Sequence, residues 1–412
     1  MRRKRRHLFH GIGVEIEYMA VNRDSLDVLP RVDDLIKMAA GDYISEFERG
    51  RLRWSNELVT HVIELKTNGP ETSLPELGCA LQSDIIYINE LLRTMDGMLL
   101  PSGMHPWMNP EKETRIWPHE YSAVYEAYDR IFSCRGHGWS NLQSIHLNLP
   151  FCGNREFAAL HAAIRLALPV LPALSASSPV MEGRITGLAD SRLEAYRVNQ
   201  KKIPSLAGDV VPESVHSRAR YRKMILAPMY HDIRPYDRDR ILKHEWLNSR
   251  GAIARFDRGS IEIRVLDTTE CVPSDLAVSS AVTALLKMMV YEEWSARKGQ
   301  QDFPQPFLVD LFSRVIRDGE KAVIDHPAYL SHFGFHKQSR CTAGELWRHL
   351  YEAGIGDRMP EGLRYAMEWI LDKGTLSRRI LNCLGKTPSK EDLMGCYRRL
   401  ADCLARGEMF GS

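Results

Sequence analysis

Four short stretches of the 412-residue chain place acidic, imidazole or guanidinium side chains at every second position. They are Glu15 and Glu17 in residues 12–19 (IGVEIEYM), Glu64 in 61–66 (HVIELK), His146 and Asn148 in 144–149 (SIHLNL), and Glu262 and Arg264 in 260–266 (SIEIRVL). Period-two alternation is the mark of a strand, whose successive side chains point to opposite faces. Ile12, Val14, Ile16 and Tyr18 then share one face of the first strand, and Glu15 and Glu17 the other. The rest split likewise: Ile63 and Leu65 oppose Val62, Glu64 and Lys66; Ile145, Leu147 and Leu149 oppose His146 and Asn148; Ile261, Ile263 and Val265 oppose Glu262 and Arg264. An isolated E-x-E reads as a solvated face, but such faces favour mixtures of Thr, Lys and Ser because adjacent like charges repel. Glu15, Glu17, Glu64 and Glu262 gathered together require cations to offset them. Oxygen donors in this number suit Mg2+ or Mn2+, which accept carboxylates and keep waters for substrate phosphates. His146 is a softer donor that, taken alone, reads more readily as a hydrogen-bonded core histidine.

These strands need helices to cover their aliphatic rows. From Leu74 the apolar positions Leu77, Leu81, Ile85, Ile88, Leu92 and Met95 step by three or four, which predicts an amphipathic helix. Residues 156–168 predict another, disturbed by Pro169 and Pro172. Ser274 and Asp275 are placed to cap a long helix running to about Arg297. Residues 252–257 and 260–266 read as a hairpin turned by Asp257, Arg258 and Gly259. Beyond residue 300 the segments 307–325, 343–353, 361–372 and 390–406 are helical in pattern, with no strong strand. The expected organisation is a basic tail (1–10), a core (11–297) and a helical C-terminal part packed on it (298–412). The fold class is α+β, a largely antiparallel sheet with flanking helices followed by that helical part.

Composition narrows the function. The chain has 55 Lys+Arg against 53 Asp+Glu, a net charge of +2, so no global field draws it to nucleic acid or a membrane surface. Hydrophobic residues make up 44% and charged residues 26%, which excludes a disordered or fibrous chain. The basic run at residues 1–7 is not followed by the apolar stretch of a signal peptide and reads as a frayed, solvated tail. Eight scattered cysteines form no C-x-x-C pair, so neither a zinc site nor a disulfide framework is expected. A cytoplasmic location, small-molecule partners, no membrane span and no nucleic-acid partner are the resulting expectations. Oligomeric state is left open, with a homodimer compatible.

The chain resembles the glutamate–cysteine ligases of the plant and bacterial type and their carboxylate–amine ligase relatives. Gly11-Ile-Gly-Val-Glu-Ile-Glu-Tyr is similar to that family's opening acidic strand, and Val62-Ile-Glu-Leu-Lys-Thr-Asn-Gly-Pro to its second. Ser144-Ile-His-Leu-Asn-Leu resembles the histidine strand, and Ser260-Ile-Glu-Ile-Arg-Val-Leu-Asp the closing one. The segment from Ser175 to Arg192 resembles the family's A-N-S-P-x-x-x-G loop and its following arginine, with Ser177 in place of the usual Asn. The resemblance implies a glutamine-synthetase-like curved sheet holding ATP and two or three divalent ions. It implies metal ligation by Glu15, Glu17, Glu64, His146 and Glu262, with no Walker loop required. It implies that Arg264 and Arg255 place positive charge on phosphoryl oxygens of ATP, and that Arg192 binds the carboxylate of the acidic substrate. Asn148 and Ser178 are the further candidates for substrate contact, and loop 176–190 is the candidate lid.

Overall fold

The computed structural model of the chain describes residues 6–411. Ten strands are set out in chain order: β1 (Gly13–Asn22), β2 (Glu46–Arg49), β3 (Leu52–Asn56), β4 (Val62–Thr67), β5 (Gly97–Leu100), β6 (Ser144–Pro150), β7 (Val180–Met181), β8 (Arg184–Ile185), β9 (Ala252–Arg255) and β10 (Ser260–Asp267). Eight of them form one antiparallel sheet in the order β2-β3-β4-β1-β6-β10-β9, with β5 paired to the far end of β1. The four strands read from alternation are therefore neighbours, β4-β1-β6-β10, and the hairpin β9–β10 turns at Gly259, whose φ of 75° suits glycine.

The aliphatic rows are buried as their spacing requires. Val14, Ile16 and Tyr18 of β1 join Ile63, Leu65, Ile145, Leu147, Ile261 and Ile263 in one core with the helices Leu74–Arg93, Gly153–Ala167 and Val272–Val290. The first of these begins where Ser73 accepts a hydrogen bond from the Glu76 N–H, with Pro75 in its first turn. The helix expected from Ser274 to Arg297 instead spans Val272–Val290. Ser274 and Asp275 lie inside its first turn, and the Asp275 carboxylate accepts from the Thr269 N–H and hydroxyl rather than capping. A separate short helix, Arg297–Asp302, follows.

In the C-terminal part the helices Gln305–Asp318, Ala343–Leu350, Glu361–Lys373 and Lys390–Arg406 occupy the expected segments, and Leu376–Leu384 adds one. The first stops short of residue 325 because Gly319 takes a positive φ; Val323–Ile324 (β11) then pairs with Cys341–Thr342 (β12). This part is stapled to the core: Trp347 donates to the Val170 carbonyl (2.8 Å), and Tyr329, in the short helix Pro327–Ser331, to that of Leu166 (2.9 Å). Residues from both portions contribute to one continuous core.

The expected frayed tail is corrected where it is described. Residues 1–5 lie outside the described residues, but Arg6 to His10 are docked. His7 Nδ1 lies 2.6 Å from the Glu156 carboxylate, which also accepts from the Leu8 N–H. All eight cysteines are free. Among the described residues no helix is long and apolar enough to cross a membrane.

Candidate functional site

Strand register decides which polar side chains meet. Across β1 and β4, Glu17 stands opposite Glu64 and Glu15 opposite Lys66. Across β1 and β6, Glu15 stands opposite His146; across β6 and β10, Asn148 stands opposite Glu262. The five residues implied as metal ligands therefore share one face of adjacent strands. Their ligand atoms fall into two overlapping groups, Glu15–His146–Glu262 and Glu17–Glu64–His146, each with all atoms within 4.8 Å of one another.

The face is held by a chain of hydrogen bonds. Glu17 accepts from the Ser144 N–H (2.7 Å) and hydroxyl (2.9 Å), and that hydroxyl lies 2.9 Å from His146 Nε2. His146 Nδ1 faces Glu15 at 3.3 Å, and Asn148 Nδ2 donates to Glu15 at 3.0 Å. Ser55 of β3 donates to Glu64 (2.6 Å), with the Lys66 ammonium 3.3 Å from the same oxygen. Arg264 Nε donates to Glu262 at 2.6 Å and Arg255 Nη1 at 3.3 Å.

Burial and mutual repulsion push three of these carboxyls up. For Glu15 the desolvation is joined by the charge of Glu262, and for Glu64 by that of Glu15. Glu17 is raised by burial with a contribution from Glu64, against the opposing pull of His146. Glu262 goes the other way: burial is outweighed by Arg264, His146 and Arg255, and its pKa falls to about 2. Carboxylates that would rather be protonated are a site wanting positive charge. The donor set of carboxylate oxygens with one imidazole suits a hard divalent cation, and the buried Asn148 Oδ1 has no partner. The residues present fit Mg2+ or Mn2+.

Sequence reasoning missed Glu57. Its carboxyl is pushed well above the ordinary range by burial, then by Glu17 and Glu64. It sits in the connection between β3 and β4, where no alternation marks it. The nearness of Glu57 to the cluster is a product of the fold alone.

Two residues expected to contact substrate, Arg192 and Ser178, lie in the interior on one carboxylate. Arg192 is 2% exposed and its Nε is bound to the Asp267 carboxylate. Ser178 is fully buried; its hydroxyl donates to Asp267 (2.8 Å) and accepts from the Arg192 N–H. Ser177, at the position of the family's Asn, also donates to Asp267. A buried aspartate needs donors, and this loop supplies them. The loop is likewise not built as a lid. Residues 176–180 are interior, the β7–β8 hairpin is tied by the Gly183 N–H to Pro106, and Ala189 donates to Arg317.

A polar cleft of about 1120 Å³ opens from the Glu15 end of the face. Gly13, Glu15, Lys66, Asn148, Arg258 and Arg6 are among its walls, and no residue of 176–190 lines it. Arg258, from the β9–β10 turn, reaches to 4.0 Å from Glu15.

Comparison with known proteins follows the same strands. The model of glutamate–cysteine ligase family 2 matches residues 11–328. A protein of Archaeoglobus fulgidus, described only as uncharacterized, is 33% identical over 400 residues, 97% of this chain and 100% of its own. A Corynebacterium glutamicum protein named "Putative glutamate--cysteine ligase 2" is 26% identical over 295 residues, 68% of this chain and 66% of that one. Among solved structures, the glutamate–cysteine ligase of Francisella tularensis in complex with AMP aligns with a TM-score of 0.61 at 13% identity, over 99% of this chain and 91% of that one. A bifunctional glutathione synthetase from Pasteurella multocida aligns with a TM-score of 0.56 at 13% identity, over 96% of this chain and 52% of that one. This chain thus spans about half of the Pasteurella protein, and both likenesses speak to the fold. With the matched span containing every strand of the acidic face, the chain belongs to glutamate–cysteine ligase family 2.

Proposed function

We propose that the chain is an ATP-dependent ligase that activates a carboxylate as an acyl phosphate and joins it to an amine, the acid being glutamate through its γ-carboxylate and the amine cysteine. The observation that carries this reading is the convergence of Glu15, Glu17, Glu64, Glu262 and His146 on one face beside a cleft roomy enough for a nucleotide. A free carboxylate is a poor electrophile, and phosphorylation gives it a leaving group that a bound amine displaces. Little covalent work falls to the protein; its part is alignment and charge compensation.

Glu15, Glu17, Glu64, His146 and Glu262 would hold Mg2+ or Mn2+, and Glu57 adds a further carboxyl that feels the charges of Glu17 and Glu64. Such ions, when bound, neutralise charge on transferring phosphoryl oxygens. Arg264 and Arg255 keep Glu262 ionised and place two fixed cations next to where the phosphoryl group moves. Asn148 directs its amide N–H at Glu15 and helps to wall the cleft.

Arg192, which the family resemblance placed on the acidic substrate, is engaged by Asp267. That observation favours, as the second reading, the same chemistry on a different acid or amine. Both readings are tested by screening amino-acid pairs with ATP and Mg2+ for ADP release and identifying the product by mass spectrometry. γ-Glutamylcysteine supports the first reading and another amide the second. No pair-dependent ADP would leave a silent binding protein of this fold and overturn both.

A further inference from the structure

The amino-terminal segment reaches the cleft in a way that the family motifs do not explain. Four cations line the cleft among the described residues: Arg6, Arg53, Lys66 and Arg258. Two are already spent. Arg53 is held by Glu46 and Glu48, and Lys66 by Glu46 and Glu64. Among the described residues the nearest carboxylate oxygen to Arg258 is that of Glu15, at 4.0 Å. Arg6 has no carboxylate partner among the described residues. Its Nη1 donates to the carbonyl oxygens of Pro70 (3.0 Å) and His10 (3.3 Å), and Nε and Nη2 make no hydrogen bond among the described residues.

Arg6 is also held in place rather than dangling. Glu156 takes His7 Nδ1, the Leu8 N–H and the Cys152 N–H, pinning the segment to the start of the helix Gly153–Ala167. Ile12 and Glu71 then exchange backbone hydrogen bonds of 2.8 and 2.7 Å. Between these anchors the chain reverses through Phe9 and Gly11, both at positive φ. A Cβ on Gly11 would stand 3.1 Å from Arg6 Nη1, so glycine lets the guanidinium lie against the backbone. Arg6 and Arg258 therefore flank the cleft from the Pro70 side and from the β9–β10 turn. They bracket the ends of β1 and β6 that lead to Glu15 and Asn148.

We propose that Arg6 is a nucleotide-positioning residue, donating from the amino-terminal segment to phosphate oxygens of the nucleotide in this cleft. The inference rests on the reading of the cleft as the nucleotide site. A guanidinium without a carboxylate partner is suited to an anion, because its donors form charge-assisted bonds without first breaking an ion pair.

The test titrates Mg·ADP into the full-length wild type, Arg6→Ala and Arg6→Lys at two salt concentrations, alongside steady-state constants and melting without ligand. Arg6→Ala should weaken Mg·ADP by about tenfold, the size of one hydrogen bond to a charged group. The salt dependence of its binding should become shallower than that of the wild type. KM for ATP should rise in step while KM for the amino acids stays put, the ligand-free melting temperature should hold, and Arg6→Lys should recover part of the loss. Unchanged Mg·ADP affinity in Arg6→Ala would overturn the assignment. So would a lower ligand-free melting temperature with all KM values rising together, which marks a mere staple to Pro70. Absence of Mg·ADP binding by the wild type would overturn the reading of the cleft itself.

Discussion

Glu17 and Glu64 face each other directly across β1 and β4, both largely buried and, among the described residues, neither in an ion pair with an arginine. On top of burial, the charge of Glu64 raises the proton affinity of Glu17, and that of Glu15 raises the proton affinity of Glu64. A carboxyl whose folded pKa is raised contributes most at low pH, and that contribution is lost as pH climbs through the raised value. Glu64→Gln should therefore hold or raise the melting temperature without metal, with a larger advantage at pH 8 than at pH 5. It should also lose most activity, and Mg2+ with nucleotide should stabilise it less than the wild type. A wild-type ligand shift with normal turnover would mean that the acidic face only meets water.

Arg264 and Glu262 are a second test, because they lie two residues apart on one strand and are joined at 2.6 Å. Arg264→Ala removes the largest of the positive charges that hold Glu262 down and leaves His146, Arg255 and Arg258, so the carboxyl should rise from about 2. If Arg264 also meets developing phosphoryl charge, turnover should fall on the order of 10²–10³, as for loss of one preorganised donor. Arg264→Lys should recover little, since a point charge cannot reproduce the planar fork. Turnover within about tenfold of wild type in a folded Arg264→Ala protein would reduce the arginine to a partner of Glu262.

Asp267 separates structural from substrate roles. Its carboxylate takes Arg192, Ser178 and Ser177 in a site closed to solvent. Removing one partner of a buried ion pair costs about 3–5 kcal/mol. Asp267→Asn and Arg192→Ala should each lower the melting temperature sharply, and at permissive temperature KM for ATP and for the acid should change together. A stable Arg192→Ala protein with a selective rise in KM for the acid would restore the substrate role that the resemblance implied.

The sheet was legible where alternation is strict. β1, β4, β6, β9 and β10 were readable because one face is aliphatic and the other carries charge, and their glutamates do meet. β2, β3 and β5 were not, since Glu46–Arg49 has a single apolar residue, Phe47, at an edge and Leu52–Asn56 and Gly97–Leu100 are too short to show a period. Spacing along the chain says which face a residue occupies but not what stands opposite. Glu57 was missed because it belongs to no period, and the pairing of Arg192 with Asp267 was not legible because the two are 75 residues apart.

The last prediction concerns the opposite face of the sheet. Tyr18, one residue along from Glu17 and pointing the other way, donates its hydroxyl to Asp275 at 3.1 Å. Asp275 is fully buried in the first turn of the helix Val272–Val290. Burial outweighs the hydrogen bonds from Thr269 and Tyr18, and its pKa is pushed up from 3.8 to about 7. The sign follows from proton counting: between pH 4 and 7 the folded protein holds a proton on Asp275 that the unfolded chain has released. This group's contribution to stability is therefore present at the acid end of that window and is lost as pH rises through about 7. Asp275→Asn cannot titrate and keeps a carbonyl oxygen for the Thr269 or Tyr18 donors. The wild type's stability relative to Asp275→Asn, followed by denaturant unfolding, should decline from pH 5 to pH 7.5 and level off above. A difference that stayed flat across this range would mean that Asp275 remains ionised, its charge sustained by the Thr269 N–H and the two hydroxyls.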